Sequence, residues 1–467
     1  MPYDDEFGSK TAHSDVVRNP DVRAFLQQCR PIREPSDEAG QELASCFVEP
    51  PEYTQESGIG YVIASDGSLY ASSIDDRLPS IKVCYLKFST ILIEMMEFEG
   101  LEDSNTQLID PFRVAALQRN RDTLTLVLPL SNFRLPDDNS VKDTFRRQMD
   151  SFLWSEATRF RRDDPGTSLM ATLIELAQLR PGGDSPSNEV KIHKCPSPDC
   201  EEANIHLNPE EPSHSCPSCG GPLYISDCLR LWEAVNDFHA NLEPSSRFMS
   251  YIEHLLPIHY LRFLSEEAPA QLSRLSILID GPLAVFGHAA WLHQSIMRFL
   301  HQLRQRQQAR SLLPPVIIGL QKSGYVVEYM QLLNRHIPEN RIFSITDRFR
   351  YEYLGVEPSG NGFGSETYYG QDFAFKTPSG KFFVFALPYP FPIKSRADRF
   401  PHIKAEMERY EELPRALNLI NKVETDLYRD ALAPIALAHR YTAISLKPGG
   451  RVLDVMGRTA RQLSRLR

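Results

Sequence analysis

The chain has 467 residues, eight of them cysteine, with 42% hydrophobic and 24% charged residues and a formal net charge of -10. This length allows two or three domains, or one core with large insertions, and the proportions are those of a soluble globular protein. The acidic balance excludes a general basic coat, so a nucleic-acid partner has to be met by a local patch or through metal ions.

No apolar run approaches the roughly 20 residues of a membrane span. The opening MPYDDEFGSK is acidic and polar, unlike a signal peptide. Four cysteines cluster, whereas Cys29, Cys46, Cys84 and Cys228 are scattered. That usage fits a reducing cytoplasm and one metal site.

Residues 1–57 form a polar N-terminal arm, expected to be loosely packed or held by a partner, with short helices near 22–29 and 42–47. The run Tyr61-Val62-Ile63-Ala64 reads as a strand that closes on Ser65-Asp66-Gly67-Ser68. Asp-Gly is also among the strongest hairpin signals, so turns at both Asp66-Gly67 and Asp280-Gly281 are the competing reading, and on periodicity alone they come first. Residues 80–93 are rich in β-branched and aromatic side chains and predict a second, long strand, joined to the first as a hairpin. Core residues 58–100 thus precede an insertion, 101–190, read as mostly helical. Its helices are expected over 111–118, 143–160 and 168–179, with a strand over 123–130. A Pro-Gly-Gly linker follows at 181–183.

Residues 191–228 carry the strongest local signal. Cys195 and Cys200, then Cys216 and Cys219, make two close pairs across a short loop, the ligand layout of a zinc ribbon. Four thiolates close a tetrahedron, so the expected Zn2+ is structural and keeps no open position for water. His193, His206 and His214 are nearby substitutes that four cysteines make unnecessary.

The rest of the core spans 229–467. A helix over 248–263 carries Glu253, and Pro257 is expected to kink or interrupt it. The apolar run Ile277-Leu278-Ile279 ends on Asp280-Gly281-Pro282, which places a carboxylate at the end of a buried strand. A long helix over 291–310 has a basic face, Arg298, His301, Arg304, Arg306 and Arg310. It reads first as a solvated face and second as a track for a phosphate backbone. Strands at 315–321 and 341–346 end on Lys322 and Asp347, and a hairpin is expected over 373–387. Residues 403–432 look helical, and a last helix begins at Pro434 and carries His439 on a mostly apolar face. There a packed core histidine is the commoner meaning.

The series Ser65-Asp66-Gly67-Ser68, Leu278-Ile279-Asp280-Gly281-Pro282-Leu283, Gly319-Leu320-Gln321-Lys322 and Pro434-Ile435-Ala436-Leu437-Ala438-His439 resembles, in this order, the NurA nuclease family. The resemblance covers about residues 58–97 and 246–446. It implies an α/β fold with an RNase H-like mixed sheet flanked by helices, here with a large, mostly helical insertion that carries the zinc ribbon. It also implies DNase activity with Mn2+ or Mg2+, a HerA-type hexameric ATPase as partner, and a homodimer. DNA repair or antiphage defence is the implied setting. Asp66 and Asp280 match the family's metal-binding aspartates and His439 its C-terminal histidine. Glu253 is the best match for a helical glutamate, with Glu266 and Glu267 as alternatives and Glu94 and Glu97 as further carboxylates. Where the family has a tyrosine ahead of the histidine this chain has Ala433, with Tyr428 a little over one helical turn earlier. Lys322 stands where it can hold a phosphate. In-line hydrolysis of a phosphodiester needs charge neutralisation and a hydroxide made at neutral pH, which divalent ions on carboxylates supply. The rival reading is a non-catalytic zinc-ribbon adaptor, or DNA-binding subunit, on a degenerate nuclease fold.

Overall fold

The computed structural model describes residues 11, 13–29, 35–53, 58–101, 121–180, 188–394, 399–425, 432–444 and 449–464. Its spine is a long hairpin. Strands β1 (Tyr61–Ser73) and β2 (Lys82–Glu94) pair antiparallel along their whole lengths, Tyr61 opposite Glu94 and Ser73 opposite Lys82. Asp66-Gly67 therefore lies mid-strand, opposite Ser89 and Phe88, and not in a turn. The dipeptide turns only where the chain can fold back on itself. Here residues 65–73 find a continuous partner in 82–90.

β3 (Arg121–Ser131) pairs antiparallel with β2, so the sheet takes in a stretch of the segment read from sequence as helical insertion. β8 (Leu275–Asp280) runs parallel to β1, and β9 (Val316–Gln321) runs parallel to β8. The order β3-β2-β1-β8-β9 with β2 reversed is the expected RNase H-like arrangement. Three more antiparallel strands, β12 (Phe382–Pro388), β11 (Gly370–Lys376) and β10 (Arg341–Ser344), extend it to eight. The central strands are continuous apolar runs because both faces are covered.

One face, with Ile63, Phe88, Ile277 and Ile279, belongs to the same core as helices α2 (Val141–Trp154), α3 (Leu169–Gln178), α4 (Leu242–Glu267) and α5 (Leu292–Ala309). The other face, with Val62, Ala64, Leu278 and Ile318, packs with α6 (Leu413–Val423) and α7 (Ala433–Thr442). The alternation along β1 and β8 decides which side chains meet which layer. Asp66 and Asp280 fall in phase with Ala64 and Leu278, on the α7 side.

Several expectations need correction. α4 does not break at Pro257; the helix continues through it, with Pro257 buried in the packed layer. Part of the N-terminal arm is packed, not loose. Its helix α1 (Asp37–Ala44) presents Gly40 to His336, Phe47 packs on Phe343 and Phe382, and Val48 bridges Ile342 beside β10. α7 is not the last helix, because α8 (Gly449–Ser464) follows and packs Leu453 against the far end of the hairpin. The helix expected over 111–118 lies outside the described residues.

Candidate active site and zinc ribbon

The site forms where β8 stops and β1 goes on. Pairing between these strands runs from Tyr61–Leu275 to Ser65–Ile279. Asp66 is the next residue of β1 and Asp280 the last of β8, so the two carboxylates emerge side by side from adjacent parallel strands. Asp66, Asp280 and His439 each offer a ligand atom, and these atoms lie within 4.8 Å of one another.

His439 reaches this edge from α7, whose C-terminal end is pinned to the hairpin. Ser68 Oγ donates to the Thr442 carbonyl at 2.5 Å, Thr442 Oγ1 donates to the Asp66 carbonyl at 3.3 Å, and Lys87 Nζ donates to the Tyr441 carbonyl. His439 Nδ1 stands 3.0 Å from Asp66 Oδ2. Its side chain is 63% exposed against 7% for Asp66, so it is not the packed core histidine its apolar neighbours suggest. The residues before it, Pro434 to Ala438, are buried.

Lys322, just past the end of β9, places Nζ 2.6 Å from Asp280 Oδ2. Glu253 comes from α4 on the opposite side of the sheet. Gly67 lies beyond the last β1–β8 pair, and its backbone faces the Glu253 carboxylate. Only a glycine permits this approach. A Cβ at Gly67 would stand 2.7 Å from Glu253 Oε1 and 2.8 Å from Met249 Cγ. Pro257 has no N–H to give the Glu253 carbonyl four residues back. Glu253 lies outside the mutual 4.8 Å set of the other three.

Burial, then the nearby Asp66 and Asp280 charges, push the Glu253 carboxyl up to about 8. Asp66 is also raised, by burial first and then by Asp280, against the lowering pull of His439 and Lys322. Converging carboxylates with too little positive charge between them make a site for a hard divalent cation. Two carboxylates and an imidazole also suit Mn2+.

The alternative carboxylates are elsewhere. Glu94 lies opposite Tyr61, at the start of β1 and away from Asp66. Glu97, Glu266 and Glu267 are exposed, and Glu267 pairs with Arg161 at 2.6 Å. Tyr428 lies outside the described residues. The role of Gly67 went unread in the sequence, although a glycine inside a strand is the known signal for close approach. The basic face of α5 is largely used within the fold. Arg298 donates to the Leu179 carbonyl, Arg310 to the Ser265 carbonyl, and Arg304 pairs with Glu412 at 2.6 Å.

The four cysteines come together. β4 (Val190–Lys194) and β5 (Ala203–Leu207) flank Cys195 and Cys200, and β6 (His214–Ser215) and β7 (Pro222–Leu223) flank Cys216 and Cys219. Their sulfurs lie within 4.8 Å of one another, with Cys195–Cys219 and Cys200–Cys216 both at 3.7 Å. Tetrahedral Zn–S bonds of about 2.3 Å put sulfurs about 3.8 Å apart, so the cluster fits zinc. His206 instead faces Glu189 and His214 bonds the Asn208 carbonyl. The ribbon is not a separate body: Cys195, Cys200 and Cys216 share one buried core with Phe248 and Leu255 of α4.

The family model described as NurA domain matches residues 60–444. The chain belongs to the NurA family. This is a nuclease family, and the matched range begins just before β1 and ends just after α7, so it takes in every residue of the site above. No curated protein and no solved structure matches the chain. Among the described residues, no helix is long and apolar enough to cross a membrane.

Proposed function

We propose that this NurA-family protein is a divalent-metal-dependent DNA nuclease that hydrolyses phosphodiester bonds at DNA ends. Asp66, Asp280 and His439 would hold Mn2+ or Mg2+, with Glu253 beside them. The observation that carries this reading is the meeting of Asp66 and Asp280 from adjacent strands with His439 from a helix more than 370 residues away in sequence from Asp66. The ion, when bound, supplies neutralisation of phosphate charge and a water acidic enough to ionise near neutral pH.

The chain's own residues do the rest. Lys322 places a cation beside Asp280 that can draw the scissile phosphate to the carboxylates. Glu253, whose carboxyl burial and the Asp66 and Asp280 charges push up to about 8 in the metal-free protein, stands beside the site as a group that can take up or release a proton. Gly67 leaves room for that carboxylate against the strand, where a Cβ would stand 2.7 Å from Oε1. His439 is open to solvent and serves as ligand or proton shuttle.

We further propose a cytoplasmic homodimer acting with a HerA-type hexameric ATPase in DNA repair or antiphage defence. The engagement of α5 arginines within the fold supports the need for such a motor, because tight non-specific DNA binding requires many free phosphate contacts. The test is cleavage of end-labelled DNA with Mn2+, Mg2+ or chelator, with Asp280→Ala as control. Metal-dependent cleavage abolished by that substitution is expected. Equal cleavage by wild type and Asp280→Ala would overturn the proposal.

A further inference from the structure

The loop after Asp280 is clamped from several sides. The Gly281 N–H donates to the Leu320 carbonyl at 2.7 Å, the Val285 N–H to the Thr367 carbonyl at 2.9 Å, and the Tyr369 N–H to the Leu283 carbonyl at 2.8 Å. Ala284 and Tyr368 form an antiparallel bridge. Residues 367–369, which lead into β11, therefore act as a short partner strand for the loop that begins at Asp280. Gly319 and Gly370 leave room for the crossing: a Cβ at Gly319 would stand 2.7 Å from the Gly281 carbonyl oxygen, and one at Gly370 2.8 Å from Leu283 Cβ.

Tyr369 is also tied to the helix that carries Glu253. Its hydroxyl oxygen is 2.8 Å from His254 Nδ1, and the two rings meet edge to face. Both side chains are buried, Tyr369 at 1% exposure and His254 at 7%. The His254 ring also faces the Ala284 backbone. His254 is the residue after Glu253, so one buried hydroxyl sits between the Asp280 loop and the Glu253 turn of α4. Two groups held by separate elements keep a fixed relation only if something rigid joins those elements.

We propose that Tyr369 and His254 are positioning residues that set Glu253 relative to Asp280, and so tune both the divalent-cation site and the hydrolysis it supports. This rests on the nuclease reading above. A buried hydrogen bond far from solvent is a suitable joint because its loss leaves His254 Nδ1 with no competing water to pair with.

The test compares full-length Tyr369→Phe with Tyr410→Phe. Both remove one buried hydroxyl and keep the ring. Tyr410 bonds the Lys404 carbonyl at 2.6 Å and packs on Phe373, outside the site. Calorimetric titration with Mn2+ alone and steady-state cleavage are measured for both. Tyr369→Phe is expected to weaken Mn2+ binding about fivefold and lower kcat about tenfold, with KM for DNA within about twofold, since small misplacements at a reacting centre cost rate more than binding. Tyr410→Phe is expected to lower Tm without changing either quantity. If Tyr369→Phe behaves as Tyr410→Phe does, the inference is overturned. If wild type binds Mn2+ but does not cleave, the nuclease reading fails, and the calorimetry still decides: weaker binding by Tyr369→Phe upholds the positioning role, and unchanged binding ends it.

Discussion

Replacing Glu253 by Gln keeps the size of the side chain that packs over Gly67 and removes the charge. In the folded protein the Glu253 carboxyl is raised from an ordinary value of 4.5 to about 8. The folded state therefore holds a proton that the unfolded chain releases between those values. Stability from this group is fully present below about pH 4.5 and is lost as pH rises through about 8. A shift of that size has a ceiling near 5 kcal/mol at about 1.36 kcal/mol per unit. Glu253 is only partly buried and shares its field with Asp66 and Asp280, so about 1–2 kcal/mol is the working figure after solvent screening. Metal-free Glu253→Gln should thus be more stable than wild type by about 1–2 kcal/mol at pH 8 and nearly equal at pH 5. Isothermal urea unfolding in chelator at the two pH values measures this. Millimolar Mn2+ should stabilise wild type more than the variant at pH 8, because binding to the folded state adds to stability by mass action. Equal stabilities at pH 8, or the same pH slope in both proteins, would show that Glu253 does not feel the other two carboxylates.

Gly67→Ala should displace Glu253, because the new Cβ would sit 2.7 Å from Oε1; cleavage is expected to fall about 100-fold while unfolding free energy drops by only about 1–3 kcal/mol. Cys216→Ser should lower zinc from one per chain by elemental analysis. Because the cysteines share a core with α4, it should also reduce the amide protection of α4, not of the ribbon alone. Arg304→Ala should cost about 1–3 kcal/mol by leaving the buried Glu412 unpaired, and it should leave DNA affinity unchanged in a filter-binding assay if α5 is a structural helix.

The local chemistry of this protein is legible in its sequence. Four cysteines at short spacings can close only one kind of knuckle. Apolar runs such as Ile277–Ile279 and Val316–Ile318 are short enough to read as buried strands, which puts the carboxylate after the first at a sheet end. The order of short motifs was enough to point to the family. Tertiary structure decided what depends on partners distant in sequence. Asp66 lies mid-strand because β2 accompanies β1 beyond the point where β8 ends, and that mismatch in strand length is what opens the site. Glu253, and not Glu266 or Glu267, stands beside it because the phase of α4 sets that turn over Gly67, which carries no side chain. His439 faces solvent because Ser68 and Lys87 grip the last turn of α7. Arg298, Arg304 and Arg310 are spent on carbonyls and Glu412 that no helical pattern can foresee. Periodicity fixes which face of an element is apolar; which residue meets which across that face is set only when the elements pack.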